Sequence, residues 1–85
     1  MNEAKSKIIK NICYTDLVYQ RINKKLQSNY SIKQIEAKLL AIITNTDVAL
    51  IIKKGKNYYI KNPKENISIT VNSNTFRVIT VDKLE

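Results

Sequence analysis

The chain has no histidine and no tryptophan, and only one glycine, one proline, one cysteine and one methionine in 85 residues. Without histidine it lacks the commonest general base, proton shuttle and metal ligand. A lone glycine, Gly55, excludes both a glycine-rich phosphate loop and a dinucleotide fingerprint. Cys13 by itself can form neither an internal disulfide nor a cysteine-rich metal site, which fits a cytoplasmic setting. It sits among apolar residues without a histidine partner, so a small core residue is expected there and not a nucleophile. Acidic residues are scarce. The seven carboxylates, Glu3, Asp16, Glu36, Asp47, Glu65, Asp82 and Glu85, show neither paired nor metal-ligand spacing, and no metal or cofactor is expected. The terminal ones read as solvated. Long apolar runs are missing too: Leu39 to Ile43 and Val48 to Ile52 fall far short of the roughly 18 residues of a membrane span. Near the start, Lys10 interrupts Ile8-Ile9 too early for the core of a secretory signal.

What the chain does have is positive charge. Fifteen lysines and arginines against seven carboxylates give a net charge of +8, which favours anionic partners such as nucleic acid. Thirteen of the fifteen cations are lysines, and a solvated, solubilising surface accounts for them equally well. The hydrophobic share of 44% is that of a globular protein, and the length fits one domain over residues 1–85. Lysine, asparagine and isoleucine are abundant, and their AT-rich codons point to a bacterial or phage origin.

The first half, residues 1–46, has helical periodicity. Ile8, Ile9, Ile12 and Cys13 mark one segment. Thr15 offers an N-cap for a second helix from Asp16 to about Gln27, with Val18, Ile22 and Leu26 as its stripe, flanked by Leu17, and Tyr14 packed on Tyr19 as a hydrophobic staple. Ser31-Ile32-Lys33-Gln34 is a capping box opening a third, whose buried face is Ile32, Ile35, Leu39, Ile42 and Ile43 and which ends near Thr44. In residues 47–85 the period falls to two. Val48 to Lys53 reads as a strand buried on both faces, Gly55 as a tight turn and Asn57 to Lys61 as the return strand. After a loop around Pro63, Ile67, Ile69 and Val71 alternate with polar residues, and Phe76 to Val81 closes the sheet. The expected fold is α+β, with two to three N-terminal helices packed on one face of a four-stranded antiparallel meander.

The hairpin from Ile51 to Lys61 carries the most functional information. Lys53, Lys54, Lys56, Lys61 and Lys64 lie in or beside it with no carboxylate before Glu65, so their attraction to phosphate is locally unopposed. Tyr58 and Tyr59 are adjacent on a strand, so one faces the core and the other outward, where it can stack on a base or shield a sheet edge. Arg77, between inward residues Phe76 and Val78, belongs on the opposite face with Ile79 and Val81, able to support an anion site or cap an edge. The candidate binding set is Lys53, Lys54, Lys56, Tyr59, Lys61, Lys64 and Arg77.

Lys54-Gly55-Lys56-Asn57-Tyr58-Tyr59, followed by Ile69-Thr70-Val71-Asn72 and Val78-Ile79-Thr80-Val81, resembles a family of short bacterial proteins of unknown function, DUF3781. The layout of two helices, a meander and a closing Val-Ile-Thr-Val strand is also similar to the RelE-like ribonuclease toxins. That likeness implies possible RNA cleavage with Arg21, Lys56, Tyr59 and Arg77 in the arginine, lysine and tyrosine roles, and no residue here matches the histidine or glutamate of many such toxins. Two functions are therefore open. One is a non-enzymatic binding protein that docks the basic hairpin on nucleic acid or on an acidic groove of a protein, such as a phage inhibitor of a host defence nuclease. The other is an RNA-cleaving toxin of a toxin-antitoxin pair. A homodimer through an exposed edge strand is compatible with either.

Overall fold

The computed structural model describes residues 3–84 and has the expected α+β architecture. Three helices, α1 (Glu3–Asn11), α2 (Asp16–Leu26) and α3 (Ile32–Asn45), precede four strands, β1 (Ile51–Lys54), β2 (Asn57–Asn62), β3 (Ile67–Asn72) and β4 (Val78–Lys83). The strands form an antiparallel meander in the order β1-β2-β3-β4. Glu85, expected to be solvated, lies outside the described residues.

The capping box at Ser31 is complete: its hydroxyl accepts from the Gln34 amide at 3.2 Å, and Gln34 Oε1 accepts from the Ser31 amide at 2.8 Å. Thr15 caps α2 in position only, since its side chain makes no cap hydrogen bond. Gln27 then ends that helix in the left-handed region, its amide donating back into the last turn. The Tyr14–Tyr19 pair is stacked, with ring centroids 5.4 Å apart.

Cross-strand register sorts the sheet into two faces. Ile51, Ile60, Ile69 and Val81 form one continuous inward row, all buried, and Val71 and Val78 extend the same face. These pack with Ile8, Val18, Ile22, Ile35, Leu39, Ile42 and Ile43 from the helices into a single core. The buried polar residue on this face is Asn62, satisfied by the Thr46 hydroxyl at 3.1 Å, the Ile42 carbonyl at 3.3 Å and the Glu65 amide at 3.0 Å.

Four sequence expectations are corrected. Val48–Leu50 is a short 3-10 turn, capped by the Asp47 carboxylate on the Ala49 amide at 3.0 Å, and not strand. β1 is consequently only four residues long, with Ile51 buried and Ile52 half exposed, because as the sheet edge it has helix cover on one face only. Ile32 is 55% exposed, since it starts α3 one turn ahead of the first buried member of the stripe. Cys13 is half-buried and outside the core: it follows α1 and forms a parallel bridge to Arg77, with Sγ 3.4 Å from the Thr75 carbonyl. Finally, Val81 does not share a face with Arg77. Thr80 pairs with Thr70 and Val78 with Val71, leaving Ile79 as an extra residue in a bulge that resets the alternation and returns Val81 to the core.

Candidate functional site

The remaining rows of the sheet make its second face. Ile52, Tyr59, Thr70 and Thr80 cross the middle, Lys54, Asn57 and Asn72 lie toward the end that carries the β1–β2 turn, and Lys61, Ser68 and Asp82 lie toward the other. Ile52 and Tyr59 stand outside the hydrophobic core and do not pack against it; Thr70 is nevertheless buried, at 8%, and Asp82 reaches α2 through Lys25. Apart from that ion pair the face is bare of helix, with Tyr59 near its centre and Lys54 and Lys61 two positions away along the strand pair. Neither lysine is paired with a carboxylate among the described residues, where Lys25–Asp82, at 3.0 Å, is the ion pair found.

The other tyrosine of the pair has gone inward. Tyr58 packs against the core and stacks on Phe76, with centroids 6.4 Å apart. Phe76 reaches that position with φ of 60°, a left-handed conformation that is costly for a bulky residue. Asn72 holds the turn that imposes it: its side-chain oxygen accepts from the Asn74 and Thr75 amides, both at 2.8 Å, and its carbonyl accepts from the Phe76 amide at 2.9 Å. This turn is latched to the hairpin tip, because the Lys56 carbonyl accepts from both the amide and the hydroxyl of Ser73 at 2.8 and 2.9 Å. Gly55, with φ of 63°, makes the tip possible.

The basic residues of the hairpin do not form one patch. Lys54 and Lys61 share the bare face with Tyr59, while Lys53 lies in the inward row beside Tyr58 and is exposed beyond the core. Lys56 is in the tip turn, and exposed Arg77 stands at the same end beside Cys13. Lys64 is on the β2–β3 loop at the opposite end, next to Glu65. The four positions matched to the toxin roles are spread likewise. Arg21 donates to the Ile79 carbonyl at 3.4 Å, clamping α2 to β4. Among the described residues no hydrogen bond or cation–ring contact joins any two of Arg21, Lys56, Tyr59 and Arg77.

A second polar constellation, between the helices, was not legible as such. The Tyr19 hydroxyl donates to Glu36 Oε2 at 2.6 Å, and the stacked Tyr14 has its hydroxyl sealed from solvent without a partner. Burial, reinforced by the hydrogen bond to Glu36, pushes the Tyr19 phenol up to about 12. Burial, then the negative charge of Glu36, raises Tyr14 further. Sequence spacing identifies the two tyrosines as a staple but carries no signal that α3 brings a carboxylate to them. Among the described residues no group of three or more metal-ligating side chains is gathered, and no helix is long and apolar enough to cross a membrane.

Comparison with known proteins gives one positive finding. Residues 6–82 match the model of a protein family of unknown function, DUF3781, and the chain belongs to that family. No curated protein and no solved structure matches it.

Proposed function

We propose that this DUF3781 chain is a non-enzymatic binding protein whose bare sheet face takes single-stranded nucleic acid. The observation that carries the reading is the placement of Tyr59 on the helix-free face with unpaired Lys54 and Lys61 on either side of it along β1 and β2. A partly exposed aromatic ring on an open sheet face gives a base a stacking surface, and flanking ammonium groups neutralise the phosphates that follow it. Asn57, Asn72, Ser68 and Thr70 on the same face add uncharged hydrogen-bonding groups. Lysines are compact point charges without the forked geometry of arginine, so the face favours backbone attraction over sequence discrimination. Between Asp47 and Asp82 the chain has a single carboxylate, Glu65, and it lies on the loop at the far end from the hairpin tip. Cleavage has less support, since Arg21 is engaged with the Ile79 carbonyl and the other matched positions are dispersed.

The test is fluorescence anisotropy with labelled single-stranded RNA and DNA of about ten nucleotides, a length within the usual site size of such surfaces, across a salt series. Affinity should fall as salt rises. Replacing both Lys54 and Lys61 by Ala should make the log–log slope shallower by about 1.4, on the basis of about 0.7 per phosphate contact on a single strand. Salt-independent binding, or a slope unchanged by the double replacement, overturns the reading. Failure to bind any oligonucleotide, together with capture of a host protein that Lys53→Glu, Lys54→Glu and Lys56→Glu abolish, moves the docking to an acidic protein groove.

A further inference from the structure

On the far side of the core from the bare face, α1, the α1–α2 connection, α2 and α3 enclose an open cleft of about 420 Å³. Ile9, Ile12 and Leu40 supply aliphatic wall, the Tyr14–Tyr19 stack supplies aromatic wall, and Glu36 supplies a carboxylate. Leu40 is 40% exposed at this cleft, on α3 but outside its buried stripe of Ile35, Leu39, Ile42 and Ile43.

The chain carries fifteen cationic side chains, yet among the described residues none forms an ion pair with Glu36. One carboxylate oxygen accepts from Tyr19, and among the described residues the other accepts no hydrogen bond. A carboxylate held by one hydrogen bond against apolar walls gains from a further charge-assisted donor more than it would in open water.

We infer that this cleft binds an alkylammonium group, an amine on a short apolar stem, with Glu36 accepting from the ammonium and the aliphatic and tyrosine walls covering the stem. A lysine side chain of another protein and a free aliphatic amine present the same chemistry. The ring of Tyr14 takes part as wall. Its hydroxyl does not, because it is sealed from solvent. The net charge of +8 opposes a cation at long range, but salt at physiological strength screens that field within about 8 Å and leaves the contact at Glu36 largely intact. Two features favour the amine over a neutral ligand, the unpaired oxygen and the negative charge, while the apolar wall favours an amine on an alkyl stem over a bare ammonium ion.

The experiment is an amide chemical-shift titration of the full chain with n-butylammonium chloride, with n-butanol and sodium chloride at matched concentration as controls. Saturable shifts should centre on Ile9, Ile12, Tyr14, Tyr19, Glu36 and Leu40 for the amine alone. Glu36→Gln retains an oxygen for the Tyr19 hydroxyl, so the fold is kept while amine affinity should fall about tenfold or more, the usual worth of a hydrogen bond to a charged group. A second arm with Nα-acetyl-lysine amide separates the sources: tighter binding than n-butylammonium assigns a protein side chain, and weaker binding assigns a free amine. Equal response to n-butanol, undiminished affinity in Glu36→Gln, or no saturable shift with either amine overturns the proposal.

Discussion

The two faces of the sheet are written in alternate residues of the same strands, and they have opposite assignments. Ile51, Ile60, Ile69 and Val81 on one row are buried without exception. One residue along, Ile52, Tyr59, Thr70 and Thr80 make a row outside the hydrophobic core, in which Thr70 is buried and the other three are at least partly exposed. The inner row is uniformly aliphatic and committed to the core, whereas the outer row mixes aliphatic, aromatic and hydroxyl groups and is bordered by lysines. Stability therefore resides on one face and leaves the other free to vary with a partner. That division can be tested by substitution on each side.

The largest contrast should come from paired truncations in the middle rows. Ile69→Ala removes a fully buried side chain flanked by Ile60 and Val81, and should cost about 3 to 4 kcal/mol in urea unfolding, a large part of the stability of so small a domain. Ile52→Ala, on the outer row and half exposed, should stay within about 0.5 kcal/mol. Comparable losses at both positions would mean that the outer face is also covered.

Asn62 tests whether the inner face tolerates polarity only because it is satisfied. Its side chain joins the end of α3 to the β2–β3 loop through the Ile42 carbonyl, the Thr46 hydroxyl and the Glu65 amide. Asn62→Ala leaves these groups short of partners and should cost about 2 kcal/mol. A neutral result would show that water replaces the side chain without loss.

Tyr14 should give the opposite sign. Its hydroxyl is buried and unpartnered, so Tyr14→Phe should raise stability by about 1 kcal/mol. The pH dependence carries the same information. Both Tyr14 and Tyr19 hold their protons more tightly when folded than the ordinary phenol near 10. The folded state thus binds more protons than the unfolded chain, and stability is intact below about pH 10 and declines as pH rises through the Tyr19 value of about 12. Urea midpoints between pH 9 and pH 12 should fall more gently in Tyr14→Phe; an identical decline would remove this phenol from the alkaline transition.

Much of this division was readable beforehand. The order of elements, the capping box at Ser31 and the inward set Ile67, Ile69 and Val71 all follow from local pattern, because caps and alternation are properties of neighbouring residues. What escaped depended on contacts distant in sequence or on irregular backbone. The bulge at Ile79 shifts the parity of β4 without any glycine or proline to announce it, so strict alternation puts Val81 on the wrong face. The Val48–Leu50 turn is apolar enough to mimic a strand and is set by the Asp47 cap instead. The basic set was legible as a composition but not as a distribution: a run from Lys53 to Lys64 looks continuous in sequence, and strand alternation together with the β2–β3 loop divides it between two faces and two ends. Glu36 meets Tyr19 across 17 positions, a separation at which periodicity says nothing.

Tyr59 offers the smallest effect on stability and the sharpest test of the division. Its cross-strand partners on the bare face are Ile52 and Thr70, and such pairs contribute a few tenths of a kcal/mol each. Tyr59→Ala should accordingly cost about 0.5 kcal/mol in unfolding, while single-stranded oligonucleotide binding should weaken by about 1 to 3 kcal/mol, the usual worth of one base stacked on an aromatic side chain. Tyr59→Phe keeps the ring and should keep the affinity. The salt slope should hardly change in either variant, because stacking releases no counterions. Loss of stability equal to the loss of binding would assign Tyr59 to the scaffold, and binding unmoved by Tyr59→Ala would take the aromatic ring out of the interface and leave its lysines as bare charge.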